Sequence, residues 1–163
     1  MSVPIVIRRE RPDQPPVMAL LAELDRYLGS LYEPEANHIL DVHALLQPEI
    51  AFYVARANLE GGRPVGTAAF RRMNGEPDTG GQPYGEIKRM YVDPAFRGHR
   101  LGARLLAALE DGLRGEGYRL ALLETGREQT EAVKLYEREG YTPRGVFGGY
   151  PDNRLSVFYG KAL

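Results

Sequence analysis

The residues most suggestive of chemistry form one short Gly- and Arg-rich stretch in the middle of the chain. Arg97, Arg100 and Arg104 supply positive charge, while Gly98 and Gly102 have no side chain to keep a ligand from the backbone. The stretch lies between a predicted strand and a predicted helix, so the free N–H groups of the first helical turn lie beside it. Helix N-termini favour anions, and Arg can grip phosphate at two points. The stretch therefore predicts a loop that binds the pyrophosphate of a nucleotide-like cofactor.

Length, charge and composition narrow the class of protein. At 163 residues, with 43% hydrophobic and 26% charged content, the chain predicts one globular domain over residues 1–163. A net charge of −1 argues against binding to nucleic acid or to a membrane surface. No apolar run approaches the ~20 residues of a membrane helix, and the N-terminus lacks a signal-peptide core. These features favour a cytoplasmic protein.

Scarce residue types exclude further chemistry. The chain has no Cys, which removes disulfides, thiolate zinc sites and thiol nucleophiles together. Its three His residues, His38, His43 and His99, are too scattered along the sequence to suggest a His-based metal site. The sequence therefore predicts a protein that works without a metal.

The periodicity of apolar residues predicts a mixed α/β domain in the order β-α-α-β-β-β-α-β-α-β-β. Strands are predicted at residues 5–10, 50–56, 63–72, 86–92, 118–124, 141–147 and 153–160. Helices are predicted from residue 15 to about 31, at residues 39–46, from residue 101 to about 113, and in a segment ending near residue 139. Residues 60–63 are expected to form the turn of a hairpin.

Local residue signals predict where the first and the last helix begin and where the last helix ends. Asp13 is expected to cap the first helix, which Pro15 then enters at its first turn. Thr125 and Glu128 have the spacing of a capping box ahead of the last helix. Gly140 stands where that helix should end in a left-handed residue.

In this order of elements the chain resembles the GNAT superfamily of acetyl-CoA-dependent N-acetyltransferases, over essentially its whole length. The segment Arg97-Gly98-His99-Arg100-Leu101-Gly102 is similar to the family's acyl-CoA motif, Arg/Gln-x-x-Gly-x-Gly/Ala, with Arg100 at the first Gly of the motif. Residues 90–94 resemble the family's fourth strand and its exit turn. The resemblance implies a largely antiparallel sheet of about six to seven strands, splayed between the fourth and fifth and flanked by about four helices.

The resemblance also implies acetyl-CoA as co-substrate. Backbone groups of the fourth strand would pair with the pantetheine arm, and the loop would hold the pyrophosphate; Arg100 would either bind it or crowd it. Gln129 stands where the family usually has Asn. The implied cofactor-binding residues are Met90, Tyr91, Val92, Arg97, Gly98, His99, Arg100, Leu101, Gly102, Ala103 and Gln129.

Two implied catalytic residues, Glu86 and Tyr136, have simpler alternatives. Glu86 lies on the fourth strand where some members carry their general base, but it could instead be a surface carboxylate paired with Lys88 or Arg72. Tyr136 matches the Tyr that protonates the leaving thiolate, yet on an apolar helix face it could be a core aromatic.

The predicted function is transfer of acetyl to a primary amine of a small molecule or peptide, by direct attack in a ternary complex. The alternative is a non-catalytic acyl-CoA-binding or sensor domain on the same fold. A homodimer is plausible for such a protein. Six basic strand residues are either solvated or favour an acceptor bearing a carboxylate. Three Tyr are expected either near the mouth of the acceptor site or in surface or packing positions. These residues are Arg8, Arg9, Arg71, Arg72, Lys88 and Arg89, and Tyr32, Tyr84 and Tyr150.

Overall fold

A computed structural model describes residues 4–34, 39–58 and 62–163 of the chain. Within these ranges the order of elements agrees with the predicted order. The strands are β1 (Ile5–Arg9), β2 (Ile50–Ala57), β3 (Pro64–Met73), β4 (Tyr84–Val92), β5 (Leu120–Gly126), β6 (Thr142–Arg144) and β7 (Ser156–Ala162). The helices are α1 (Pro15–Leu31), α2 (Val42–Leu45), α3 (Leu101–Gly115) and α4 (Thr130–Arg138).

The strands belong to one mostly antiparallel sheet in the order β1-β2-β3-β4-β5-β7-β6. Its one parallel pair joins β4 to β5, with Gly85 opposite Ala121 and Glu86 opposite Leu122. Parallel neighbours need a long crossover connection, and α3 supplies it between these two strands. The expected mixed fold is confirmed, while the splay of the two strands beyond Glu86 stays a prediction.

The chain divides into two compact units, the first made of Met1–Phe70 and Lys88–Leu109. Its core packs the apolar stripe of α1 against the inner faces of β2 and β3. The buried members are Val17, Leu21, Leu45, Phe52, Val54 and Ala69. The i, i+4 spacing of Val17 and Leu21 places both on the face of α1 that this core buries. These residues of α1 therefore pack the helix against the sheet.

The second unit, made of Arg71–Ile87 and Glu110–Leu163, has an aromatic core. Tyr84, Phe147 and Phe158 pack with Leu122 in one buried cluster. Gly85 allows the close approach of α3 at this point, because a Cβ there would lie 2.3 Å from the Cδ2 atom of Leu113. The expectation of a single domain over residues 1–163 stays a prediction.

The predicted helix starts are wrong in two cases, and the predicted stop is confirmed. Gln14 precedes α1, while the carboxylate of Asp13 pairs with Arg11 at 2.8 Å instead of capping the helix. Thr125 belongs to β5, where it lies opposite Val157, because the antiparallel ladder continues to Gly126. Gly140 does end α4: its φ is 93°, and the N–H of Tyr141 donates to the carbonyl of Tyr136 at 2.9 Å.

Two elements are also shorter than predicted. α2 is a single turn that starts after Asp41, whose side chain accepts from the N–H of Ala44. β6 spans only Thr142–Arg144, because the chain leaves the sheet for a turn at residues 147–150.

His38 and residues 60 and 61 of the predicted hairpin turn lie outside the described residues. Among the described residues, no helix is both long and apolar enough to span a bilayer.

Candidate functional site

The loop that follows β4 is built by local hydrogen bonds and two left-handed residues. Asp93 accepts from the N–H of Ala95 at 2.9 Å and begins a short 3₁₀ turn at Pro94. Gly98 then has φ 88° and Arg100 has φ 56°, immediately before α3 begins. Left-handed residues next to helical ones turn successive N–H groups toward one side, which makes a concavity suited to anions.

The conformation of Arg100 explains why the acyl-CoA motif favours Gly at that position. A side chain in the left-handed region costs about 1 kcal/mol relative to Gly. The side chains of Arg97, His99 and Arg100 are all exposed, so their charged or polar ends extend into solvent around the concavity. Compared with Gly at this position, Arg100 therefore has a strained backbone but places a cation beside the loop.

Arg104 contributes differently from the other loop arginines. Its Nη2 atom donates to the carbonyl of Ile5 at 2.8 Å, which ties the first turn of α3 to β1. The ring of His99 lies 6.2 Å from the ring of Phe96. The side chain of His99 is exposed, and its role in binding the cofactor stays a prediction.

The second half of β4 is interrupted by Arg89. This residue has φ 56°, and its carbonyl accepts from the buried hydroxyl of Thr67 at 2.8 Å. Only 8% of Arg89 is exposed, and its Nη1 atom donates to Asp25 of α1 at 2.6 Å. Its Nε atom is buried without a hydrogen-bond partner among the described residues. The expectation of a solvated strand-face residue is therefore wrong for Arg89.

Glu86 lies near the start of β4 and is only 3% exposed. The alternative that it is a surface carboxylate is therefore wrong. Its Oε2 atom accepts a hydrogen bond of 2.5 Å from the hydroxyl of Tyr150. Burial raises the pKa of Tyr150, and the negative charge of Glu86 raises it further, so this hydroxyl remains protonated and donating at neutral pH.

A tight turn brings Tyr150 to Glu86. The N–H of Tyr150 donates to the carbonyl of Phe147 at 3.2 Å, and the two central residues have φ 64° (Gly148) and φ 75° (Gly149). Two left-handed central residues define the type of turn for which Gly-Gly is well suited. The Tyr150 ring folds back on Phe147, with ring centroids 5.6 Å apart.

A second carboxylate holds the same turn in place. One oxygen of Glu76 accepts from the N–H of Gly148 at 2.5 Å, and the other accepts from the hydroxyl of Tyr84 at 3.2 Å. Tyr84 is fully buried, so its expected place at the mouth of an acceptor site is wrong. Its role in the structure is to anchor Glu76 and the turn.

Tyr136, on α4, is 5% exposed and lies edge-on to Tyr141, with ring centroids 5.9 Å apart. Tyr136 is therefore packed in the core, as the simpler alternative expects. Burial raises the pKa of Tyr136, and the charge of Glu124 raises it further. The hydroxyl therefore keeps its proton at neutral pH, which is the state that a proton donor needs.

Glu124, on β5, is a residue that the sequence interpretation missed. Its Oε2 atom accepts from the hydroxyl of Ser156 at 2.5 Å. Its charge acts on Tyr136 and also on Tyr150, raising the pKa of both. We call Glu86, Glu124, Tyr136 and Tyr150 the tyrosine–carboxylate cluster. The sequence does carry one sign of a functional residue at this position, because Glu124 directly follows the apolar run of residues 120–123.

The other predicted residues take simpler places. Met90, Tyr91 and Val92 are half-buried at the end of β4, and Gln129 precedes α4 without capping it through its side chain. His43 is exposed on α2, and Tyr32 ends α1. Among residues 4–34, 39–58 and 62–163, no three His, Cys, Asp or Glu side chains are grouped as metal ligands would be.

Comparison with known proteins gives concordant results. The sequence model of the Acetyltransferase (GNAT) family matches residues 17–141. An IAA acetyltransferase from Azospirillum brasilense is 45% identical over 159 residues, covering 98% of each chain. A solved structure from Klebsiella pneumoniae subsp. pneumoniae MGH 78578 is 34% identical with a TM-score of 0.77, covering 98% of this chain and 97% of its own.

A more distant structure shares the fold alone. It is a GNAT family acetyltransferase from Elizabethkingia anophelis with acetyl-CoA bound, 17% identical, with a TM-score of 0.63 and 98% coverage of each chain. Acetyl-CoA is the co-substrate of GNAT acetyltransferases. The residues present here fit such a ligand, because Gly98 and Arg100 form an exposed, cationic turn directly before α3. The chain belongs to the GNAT acetyltransferase family.

Proposed function

We propose that this protein transfers the acetyl group of acetyl-CoA to a primary amine of a small molecule or peptide, by direct attack in a ternary complex. The observation that carries the proposal is the buried Glu86 of the tyrosine–carboxylate cluster. Acidic side chains are mostly exposed in folded proteins, so a carboxylate that is 3% exposed and accepts from a tyrosine hydroxyl is a candidate for a functional group.

The loop after β4 and the end of that strand hold the co-substrate in this proposal. Backbone N–H groups from Arg97 to Ala103 bind the pyrophosphate, and the guanidinium groups of Arg97 and Arg100 add charge. Backbone groups of Met90, Tyr91 and Val92 pair with the pantetheine arm, as a further strand would.

Glu86 acts as the general base. A lysine-type amine has a pKa of ~10.4, so it is mostly protonated at neutral pH and cannot attack until a proton is removed. Glu86 takes that proton and later returns it to solvent. Its burial among aromatic residues keeps the carboxylate from bulk water, so the transfer is directed to the bound amine.

Tyr136 acts as the general acid. Bound acetyl-CoA supplies a thioester whose carbonyl carbon accepts the amine and whose sulfur leaves as a thiol. Tyr136 gives its proton to the departing sulfur and recovers one from the new amide nitrogen, so one proton is released to solvent in each turnover. With no Cys in the chain, no acetyl-cysteine can form on the protein.

The decisive experiment is a thiol-release assay with acetyl-CoA and a panel of amines, to which IAA is added because the Azospirillum relative is named for it. The proposal expects CoA release with at least one amine, and Glu86→Gln should reduce kcat by about 100-fold or more without changing the Kd of acetyl-CoA. Glu137→Gln is a matched control, because Glu137 also accepts from a tyrosine hydroxyl, that of Tyr159.

Two outcomes would contradict the proposal. Binding of acetyl-CoA without release of CoA in the presence of any amine would indicate the acyl-CoA sensor instead. An unchanged pH–rate profile in Glu86→Gln would remove Glu86 from the reaction. The preferred acceptor, a homodimer and a cytoplasmic location stay predictions.

A further inference from the structure

The two ends of the Glu86–Tyr150 hydrogen bond differ in accessibility. Glu86 is 3% exposed, whereas Tyr150 is half-buried and its turn has two exposed glycines, Gly148 and Gly149. Of the two residues, Tyr150 is therefore the one with solvent-exposed surface from which an acceptor amine could approach the pair. A buried base needs either a water chain or a side chain that connects it to the substrate.

The geometry points to Tyr150 as a catalytic relay residue that carries the proton from the acceptor amine to Glu86. The ammonium nitrogen gives a proton to the Oη atom of Tyr150 while the hydroxyl proton of Tyr150 passes to the Oε2 atom of Glu86. The amine becomes neutral, Glu86 becomes a carboxylic acid, and Tyr150 is a neutral phenol before and after. This inference rests on the proposed function.

The hydrogen bond suits such a transfer. The hydroxyl of Tyr150 donates directly to the Oε2 atom of Glu86, so the proton can pass between the two oxygens without an intervening group. Three titratable groups act on Tyr150, in decreasing order Glu86, Glu124 and Tyr84. Two of them are carboxylates, and their negative charge opposes formation of a tyrosinate during the transfer.

The position of Tyr150 is held independently of Glu86. Its ring contacts Phe147 and Phe158, with ring centroids 5.6 and 5.9 Å away. Glu76 fixes the same turn through the N–H of Gly148. Replacing the hydroxyl alone should therefore leave the ring and the turn in place, so the effect of Tyr150→Phe can be assigned to the lost proton path.

The test compares Tyr150→Phe, Glu86→Gln and the double variant, using the amine that the thiol-release panel identifies. The relay predicts that each single variant loses about 100-fold in kcat and that the double variant is no slower than the slower single one. The pH–rate profile of Tyr150→Phe should have the shape of the Glu86→Gln profile, because both variants lose the same path.

Tyr159→Phe is the matched control. It also removes a tyrosine hydroxyl that donates to a carboxylate, but to that of Glu137 and not to that of Glu86. We expect its kcat to stay close to wild type. The relay would be overturned by losses that multiply in the double variant. It would equally be overturned if Tyr150→Phe kept a wild-type profile at a lower rate, which indicates a purely structural role.

A second measurement does not depend on turnover. With tyrosine labelled by ¹³C at Cζ, the resonance that Tyr150→Phe removes can be followed through alkaline pH. Because the charge of Glu86 raises the pKa of Tyr150, Glu86→Gln should move that titration to lower pH. An unchanged titration overturns the pairing and the relay. If wild type acetylates no amine, the proposed function fails and the relay with it, whatever the titration shows.

Discussion

The loop after β4 and the tyrosine–carboxylate cluster differ in their exposure to solvent and in the groups that they offer to a ligand. The loop is exposed, and its two left-handed residues, Gly98 and Arg100, present backbone N–H groups. The cluster is largely buried and works through side-chain oxygen atoms, notably those of Glu86 and Tyr150. A backbone site tolerates an unusual side chain such as Arg100, whereas a side-chain site depends on individual hydroxyl and carboxylate groups.

This difference has a physical reason in the chemistry that we propose for each region. Pyrophosphate carries permanent charge, so N–H dipoles and solvent-exposed cations suffice to bind it. Proton transfer needs groups that keep a defined protonation state, and burial provides it by raising the pKa of Tyr136 and of Tyr150. Variants can therefore separate cofactor binding from turnover.

The largest expected effect is on kcat, when a side chain of the tyrosine–carboxylate cluster is changed. Tyr136→Phe should lower kcat by about 100-fold, because the departing sulfur loses its proton donor, while the Kd of acetyl-CoA stays unchanged. Steady-state kinetics and calorimetric titration with acetyl-CoA measure the two quantities.

Tyr159→Phe is the control for Tyr136→Phe, because it also removes a tyrosine hydroxyl bonded to a carboxylate. Loss of the folded state in Tyr136→Phe would favour the packing role alone. An unchanged kcat would assign the proton donation to another group.

The next largest effect is on stability. It tests whether the unit that contains the loop depends on the ion pair between Asp25 and the buried Arg89. Asp25→Ala removes the carboxylate that pairs with the buried Arg89 at 2.6 Å. Arg89 would then be left buried with a single long contact of 3.4 Å, to the carbonyl of Leu21. We expect the free energy of unfolding to fall by about 2 kcal/mol, less than for a fully buried pair because 47% of the Asp25 side chain is exposed.

Urea unfolding checks the value, and Asp13→Ala is its control. The Asp13 partner Arg11 has a side chain that is 73% exposed, so breaking that pair should leave the free energy of unfolding nearly unchanged. Equal effects of the two variants would show that Arg89 finds another partner readily.

The smallest effect concerns the residue that departs from the acyl-CoA motif. Arg100→Gly relieves a left-handed side-chain conformation and removes a cation beside the loop. If the guanidinium binds pyrophosphate, the Kd of CoA should rise about tenfold, as expected for one lost charge-assisted contact, with kcat unchanged. A lower Kd would instead show that Arg100 crowds the ligand.

Arg154→Gly controls for the backbone part of the Arg100 experiment. Arg154 is also an exposed arginine in the left-handed region, with φ 64°. It should share any gain in the free energy of unfolding that comes from relieved strain, while leaving the Kd of CoA unchanged.

The order of elements and the anion loop were accessible from sequence because both depend on local patterns. The stripe of α1 and the apolar run of β5 are periodic, and Gly98 lies between charged residues directly before a helix. The stop of α4 at Gly140 was predictable for the same reason, since a left-handed helix end is a local requirement.

The tertiary structure alone decided which side chains meet. Tyr150 lies 64 positions from Glu86 along the chain, and no local pattern links a turn residue to a carboxylate on a distant strand. The burial of Glu86 and of Arg89, the extension of β5 through Thr125, and the short β6 likewise depended on long-range contacts. The sequence therefore determined the position of the Gly- and Arg-rich loop, which we propose binds acetyl-CoA. Packing determined where the oxygen atoms of the tyrosine–carboxylate cluster come together, because hydrogen bonds between distant elements form only in the folded chain.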